Sequence, residues 1–173
     1  MNSDSVKPPR RIHIVGRKNS GKTTLVCDLV RELTGRGLKV ATVKHTHHRH
    51  ELDTPGKDSF QHRTAGAAAV GILSPQMTAM FFPADREERG DHRYSRFESM
   101  FADCDLILVE GDLQAEAPRI EVWRSATSER PFAADDTAIV AVVSDDPVTG
   151  TGCPVWLRHP VSEVADRLLT RFG

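Results

Sequence analysis

The eight residues "GRKNSGKT" constrain this chain more than any other stretch. Gly16, Gly21, Lys22 and Thr23 satisfy G-x-x-x-x-G-K-[ST], and the flanks matter as much as the match. "RIHIVG" runs into the loop as a short β-rich segment. "GKTTLVCDLVRELTGRG" follows, with Leu25, Leu29 and Leu33 at four-residue spacing, a helical stripe that Gly35 and Gly37 stop. Strand, glycine loop and helix in that order make a phosphate cradle. Gly16 and Gly21 allow the tight turn in which successive backbone N–H groups face one anion. Lys22 reaches the β- and γ-phosphates, the Thr23 hydroxyl ligates Mg²⁺, and the positive end of the helix faces the same phosphates. The nucleotide-binding residues expected here are Gly16, Asn19, Ser20, Gly21, Lys22, Thr23 and Thr24.

The rest of the pattern extends this unit into a sheet. "LKVATVKH" is a second β run, completing strand–helix–strand. "SFQHRTAGAAAVGIL" reads as a short helix leading into a strand near 68–73, and "MTAMFF" (77–82) as its antiparallel hairpin partner. "ADREERGDHR" is a charged loop and "YSRFESMFA" a helix. "CDLILVEG", "RIEVWR", "AIVAVV" and "PVWL" are four further strands, and "VSEVADRLLTRF" is a closing amphipathic helix. Apolar strands alternating with helices predict an α/β P-loop NTPase fold, with a mostly parallel sheet, helices on both faces and one antiparallel hairpin. Residues 1–10, with Pro8-Pro9, are expected to form a flexible tail, and residues 11–173 a single nucleotide-binding domain.

Composition narrows the class of function. Lys plus Arg number 23 and Asp plus Glu 24, so the chain lacks the basic excess of a nucleic-acid or membrane-surface binder. No apolar run approaches the ~20 residues of a membrane span, and "MNSDSVKPPRR" is not followed by a signal-length apolar segment. Cys27, Cys104 and Cys153 are odd in number and form no C-x-x-C pair, which suits a reducing compartment. The expectation is a soluble, cytoplasmic protein with no nucleic-acid or membrane partner, in which Cys27 and Cys104 serve buried packing.

A phosphate loop of this kind needs an acid at the end of a neighbouring strand, for the metal or its water. Glu110 ends "LILVE" at the carboxyl side, where ligands bind in open α/β sheets. Asp105 lies at the other end and reads as a strand-entry residue. The expected catalytic pair is therefore Lys22 and Glu110, and the expected metal ligands are Thr23 and Glu110.

"KHTHHRHELDTPGKDS" leaves the carboxyl end of the second strand and opens on the same edge. His45, His47, His48 and His50 crowd one segment. A structural zinc site takes about four ligands, usually as pairs from two segments, and no cysteine pair is nearby. Metal binding, a solvated loop and an anion-facing loop all fit the bare residues. The order of the motifs discriminates further. "VGRKNSGKTTL", "VATVKHTHH", "LDTPGKDSFQHRTAGA", "DLILVEG" and "PRIEVWR", between about Arg11 and Phe172, resemble the MobB family of molybdopterin-guanine dinucleotide biosynthesis adapter proteins. The Walker loop alone names a superfamily; "KH-x-HH" followed by "D-x-PGKDS…AGA" is far more specific.

The resemblance implies a P-loop protein that binds GTP with Mg²⁺, hydrolyses it weakly and works as a homodimer. It implies partnership with the molybdenum cofactor guanylyltransferase that attaches GMP to molybdopterin. By the same analogy Lys44, His45, His48, Asp53, Pro55, Gly56, Lys57 and Asp58 form a loop near the nucleotide or the pterin, and the histidines donate hydrogen bonds to phosphates. The chain departs from the family after "VEG", where Asp112-Leu113 stands in place of an aromatic residue and a lysine. That departure bears on any phosphate or pterin contact made from that loop and leaves the Walker loop untouched.

Guanine specificity through N-K-x-D is absent from the sequence. "SDDPVTG" follows "AIVAVV" instead, and Asp145 or Asp146 can accept from guanine N1 and N2; an ordinary acidic turn before Pro147 accounts for them equally. Two other readings stay open. A metal-delivery GTPase would use the histidine loop, and a small P-loop kinase would use Arg86, Arg89, Arg93 and Arg96 as a lid, although these also suit a solvated face. The strand "MTAMFF" offers an edge to a twofold copy.

Overall fold

A computed structural model describes residues 10–47, 51–84, 90–128 and 130–172. His48 and His50, Arg86 and Arg89, and the expected tail up to residue 9 lie outside the described residues. The chain divides into two compact units, one holding residues up to Thr46 and from Gly90 onward, the other His47–Arg89. Each is described by itself.

The first unit is built on β1 (Arg10–Val15), α1 (Lys22–Gly35), β2 (Val40–Lys44), α3 (Ser95–Met100), β5 (Leu106–Glu110), β6 (Arg119–Val122), β7 (Ile139–Val143), β8 (Val155–Trp156) and α4 (Val161–Phe172). Its six strands form one sheet in the order β2-β5-β1-β6-β7-β8, and all neighbouring pairs are parallel. All six carboxyl ends therefore share one edge, and the loop after β1 leaves from its middle. The second unit holds α2 (Asp58–Thr64) and the antiparallel hairpin of β3 (Val70–Leu73) and β4 (Thr78–Phe81), in register from Val70↔Phe81 to Leu73↔Thr78. The hairpin and the parallel sheet bear out the expected α/β class. Arg10 already belongs to β1, one residue inside the expected tail.

Alternation along the strands sorts the core. Ile12, Ile14, Leu106, Leu108, Ile120, Val122, Ala141, Val143 and Trp156 face α1 and α4, meeting Leu25, Leu29 and Leu33 and then Val164, Ala165 and Leu168. The opposite face carries two smaller clusters. In one, Ala41, Val43, Ile107 and Val109 pack on Tyr94; in the other, Val15, Trp123, Ile139 and Val142 pack on Ala133. Burial of each large apolar side chain contributes about 1.5–3 kcal/mol, so the α1–α4 cluster is the main source of stability.

One expectation needs correction. Cys27 is exposed rather than packed, because it stands off the helical stripe of Leu25, Leu29 and Leu33. Cys104 is half-buried against the Tyr94 cluster. Asp105 serves strand entry as expected, its Oδ2 accepting from the Lys39 N–H at 2.7 Å.

Candidate functional site

The same alternation that builds the core also builds the site. Continued past the strand ends on the α1 face, it carries Leu108 to Glu110, Val122 to Arg124, Val143 to Asp145 and Trp156 to Arg158. Lys44, in register with Glu110, joins the row. A line of charged side chains therefore crowns the edge over the start of α1.

The loop after β1 has the backbone of an anion cradle. Gly16 (φ 143°), Asn19 (φ 64°) and Gly21 (φ 93°) all take positive φ. At Gly16 no other residue fits: an added Cβ would stand 2.4 Å from Val122 O. Such turns aim successive N–H groups inward, and α1 begins immediately at Lys22. Ser20 is wholly buried, and its N–H closes a turn on Arg17 O at 3.2 Å.

Lys22 donates to Arg17 O at 2.6 Å, which keeps its ammonium folded over the loop. Burial pulls its pKa down, Glu110 pushes it back up, and Lys44 lowers it further. Thr23 Oγ1 donates to Glu110 Oε1 at 2.7 Å, and Lys44 Nζ stands 4.0 Å from the same oxygen. The hydroxyl and the carboxylate, hydrogen-bonded to each other, are hard oxygen donors of the kind Mg²⁺ takes. A cavity of about 470 Å³ joins these groups, lined by Lys18 and Asn19, by Gly21, Lys22, Thr23 and Thr24, and by Glu110 and Arg124. Every expected Walker residue except the framework groups Gly16 and Ser20 thus lines one space.

Of the two expected base-reading acids, Asp146 is engaged locally. Its Oδ2 accepts from the Ser125 N–H at 2.8 Å and the Ser125 hydroxyl at 2.9 Å, and these bonds hold its pKa low. Asp145 is exposed, with His159 Nε2 at 4.0 Å.

On the sheet face away from α1, the loop after β5 makes a second polar cluster. Gly111 (φ 100°) and Asp112 (φ 68°) both turn left-handed, which sends the Asp112 carboxylate to that side. There Asp112 Oδ2 accepts from Tyr94 Oη and from Arg93 Nη2, each at 2.7 Å, while Arg93 Nη1 lies 3.4 Å from His45 Nε2. Burial pushes the Asp112 carboxyl up, but the Tyr94 bond and the charges of His45 and Arg93 outweigh it and hold the pKa below the usual range. The family's aromatic position is thus filled by a buried acid that binds Arg93, and Leu113, at its lysine position, packs against the core cluster of Trp123. Arg93, a candidate lid residue, is committed to this pair.

In the second unit Asp53 is buried, and its Oδ1 accepts from the Thr54 N–H and the Ser59 hydroxyl, both at 2.8 Å. This ties the "DTPG" turn to the start of α2, where Lys57 is the N-cap residue and Asp58 the first helical one, both exposed. Among the described residues no three His, Cys, Asp or Glu side chains gather as a metal cluster. No helix among them is long and apolar enough to cross a membrane.

Sequence reasoning missed Arg124 and Arg158. Both follow a buried Val or Trp by two positions, in "VWR" and "WLR", and that spacing was the available signal.

Sheet order, phosphate loop and strand-end acid define a P-loop NTPase fold. The chain belongs to the MobB family, whose model, described as molybdopterin guanine dinucleotide synthesis protein B, matches residues 11–145. It is 38% identical over 130 residues to the molybdopterin-guanine dinucleotide biosynthesis adapter protein of Escherichia coli (strain K12), covering 75% of this chain and 74% of that one. With the adapter protein of Haemophilus influenzae it shares 32% over 135 residues, 78% of this chain and 74% of the relative. A crystal structure of molybdopterin-guanine biosynthesis protein B superposes with a TM-score of 0.68 at 30% identity, over 94% of this chain and 98% of that chain. Bacillus subtilis MobB shares the fold at a TM-score of 0.69 and 20% identity, over 96% and 99% of the two chains.

Proposed function

We propose that this chain is a cytoplasmic GTP-binding adapter in molybdopterin-guanine dinucleotide biosynthesis, assisting a molybdenum cofactor guanylyltransferase in attaching GMP to molybdopterin. The observation that carries the reading is the Thr23–Glu110 hydrogen bond at 2.7 Å beside a glycine loop over which Lys22 is folded. The backbone N–H groups of residues 19 to 24 bind the β-phosphate. Lys22 leaves Arg17 O for the β- and γ-oxygens. Thr23 and Glu110 would hold the hydrated Mg²⁺, which would supply charge neutralisation at the phosphates. Glu110 also fixes a water near the γ-phosphate, which gives weak hydrolysis rather than rapid turnover.

Asp145, exposed after β7, accepts from guanine N1 and N2, while Asp146 holds the loop through Ser125. By the family resemblance Lys44, His45, His48, Asp53, Lys57 and Asp58 are the residues that would contact the pterin or phosphate, and Asp53 ties the turn before α2. A homodimer is supported by the hairpin, which exposes Ile72, Leu73, Met77, Met80 and Phe82.

The test is guanylyl transfer to molybdopterin by the transferase, with and without this chain. Wild type should raise the yield and Lys22→Ala should not. Equal stimulation by both proteins would remove nucleotide binding from the adapter's role.

A further inference from the structure

The β6 side of the phosphate cavity carries charge that the Walker pattern does not explain. A side chain added at Gly21 would meet Arg158 Nη1 at 2.9 Å and Arg124 Nη2 at 3.4 Å, so two guanidinium groups converge on one loop glycine. Arg158 is 3% exposed, and both of its terminal nitrogens stand 3.4 Å from Gly21 O. Burial, and then the charge of Arg124, pull its pKa down, and the carboxylates of Asp28 and Asp145 offset this only in part. Among the described residues no carboxylate closes an ion pair with either arginine.

Two like charges side by side, one almost wholly out of water, cost free energy unless an anion lies against them. Strand alternation holds them there. Val122 and Trp156 are buried on the α1 face, so the residues two positions on emerge above the start of α1. Arg124 is exposed and lines the cavity that also holds Lys22, Thr23 and Glu110. Its planar fork matches phosphate oxygens two at a time.

We propose that Arg124 grips the phosphate chain of the bound nucleotide from the β6 side, and that Arg158 is a positioning residue that holds the Gly21 carbonyl and sets Arg124 against the cavity. The inference rests on the nucleotide reading above. It gives the site a further cation, supplied by the chain itself and independent of Lys22. It also extends the site to residue 158, beyond the residues 11–145 that the family model matches.

The experiment titrates Mg²⁺-GTP and Mg²⁺-GDP into wild type, Arg124→Ala, Arg124→Lys, Arg158→Ala and Arg158→Lys at two ionic strengths. The melting temperature of each protein without nucleotide is measured alongside. Arg124→Ala should weaken both nucleotides by about ten- to a hundredfold and make their salt dependence shallower. Its melting temperature should equal or exceed that of wild type, because the repulsion on Arg158 is gone. Arg124→Lys should recover part of the affinity. Arg158→Ala should lower affinity, and Arg158→Lys should restore it in part. Unchanged affinity and salt dependence in Arg124→Ala would overturn the inference, as would a lowered melting temperature with an unchanged salt slope. Failure of wild type itself to bind either nucleotide would overturn the nucleotide reading and this inference with it.

Discussion

Lys22 and His13 show how single groups set the behaviour of this site and of its support. The Lys22 ammonium is held at 2.6 Å by a carbonyl of its own loop, so in the proposed nucleotide complex its move onto phosphate would exchange one acceptor for several charged ones. Lys22→Ala should therefore weaken triphosphate binding at least about tenfold, a charge-assisted bond being worth about 1.5–3 kcal/mol. Isothermal titration checks this, and the melting temperature should stay near that of wild type. His13, fully buried in β1, lies 3.2 Å from Gly111 O through Nδ1 and edge-on to Tyr94, with Arg11 stacked on the same ring and Asp91 and Asp112 close by. Burial lowers its pKa from 6.5 to about 4. Between those values the unfolded chain binds the proton and the folded chain does not. Stability should fall as pH drops from about 6.5 towards 4 and stay flat, for this group, above 6.5, a swing of roughly 3 kcal/mol. Denaturant unfolding of wild type beside His13→Gln across that range isolates the effect; identical slopes would refute it.

Strand alternation is the element-level cause of both core and site. Ile12, Leu108 and Val122 point into the α1–α4 layer, and the same parity brings Glu110 and Arg124 to the edge above it. Leu29 lies at the centre of that layer with no exposure, so Leu29→Ala should cost about 2–5 kcal/mol of unfolding free energy, read from the denaturant midpoint at constant slope. The strands, the hairpin and α1 were legible because their periods of 2 and 3.6 are written in apolar residues. Glu110 was legible because an acid after an apolar run is conspicuous, and Asp105 because it stands at the opposite end. Other features were not written locally. Asp112 turns to Tyr94 only because two consecutive residues adopt positive φ, which reverses the parity inferred from the strand. Arg124 and Arg158 lie 34 positions apart and meet only because β6 and β8 flank β7 in a parallel sheet. Cys27 read as buried from its helix alone, but its position around that helix turns it out.

For the molecule as a whole, a net charge of −1 leaves no general field to attract anions, so the proposed anion recognition falls to the local cations Lys22, Lys44 and Arg124. The exposed hairpin is the surface most in need of cover. Leu73 is 86% exposed and Met77 71%, on a two-stranded sheet with no further strand among the described residues. If the proposed dimer forms through the hairpin, Met80→Glu should shift the chain from dimer to monomer in sedimentation, leaving the melting temperature of the first unit's sheet little changed; a wild type that sediments as a monomer would refute the dimer. The measurement that tests the central claim most directly is calorimetric titration of the whole chain with GTP and with ATP, each in Mg²⁺. Saturable binding with GTP the tighter ligand, abolished by omitting Mg²⁺ or weakened strongly in Lys22→Ala, is the predicted result. Equal affinity for ATP, or binding indifferent to both Mg²⁺ and Lys22, would contradict it.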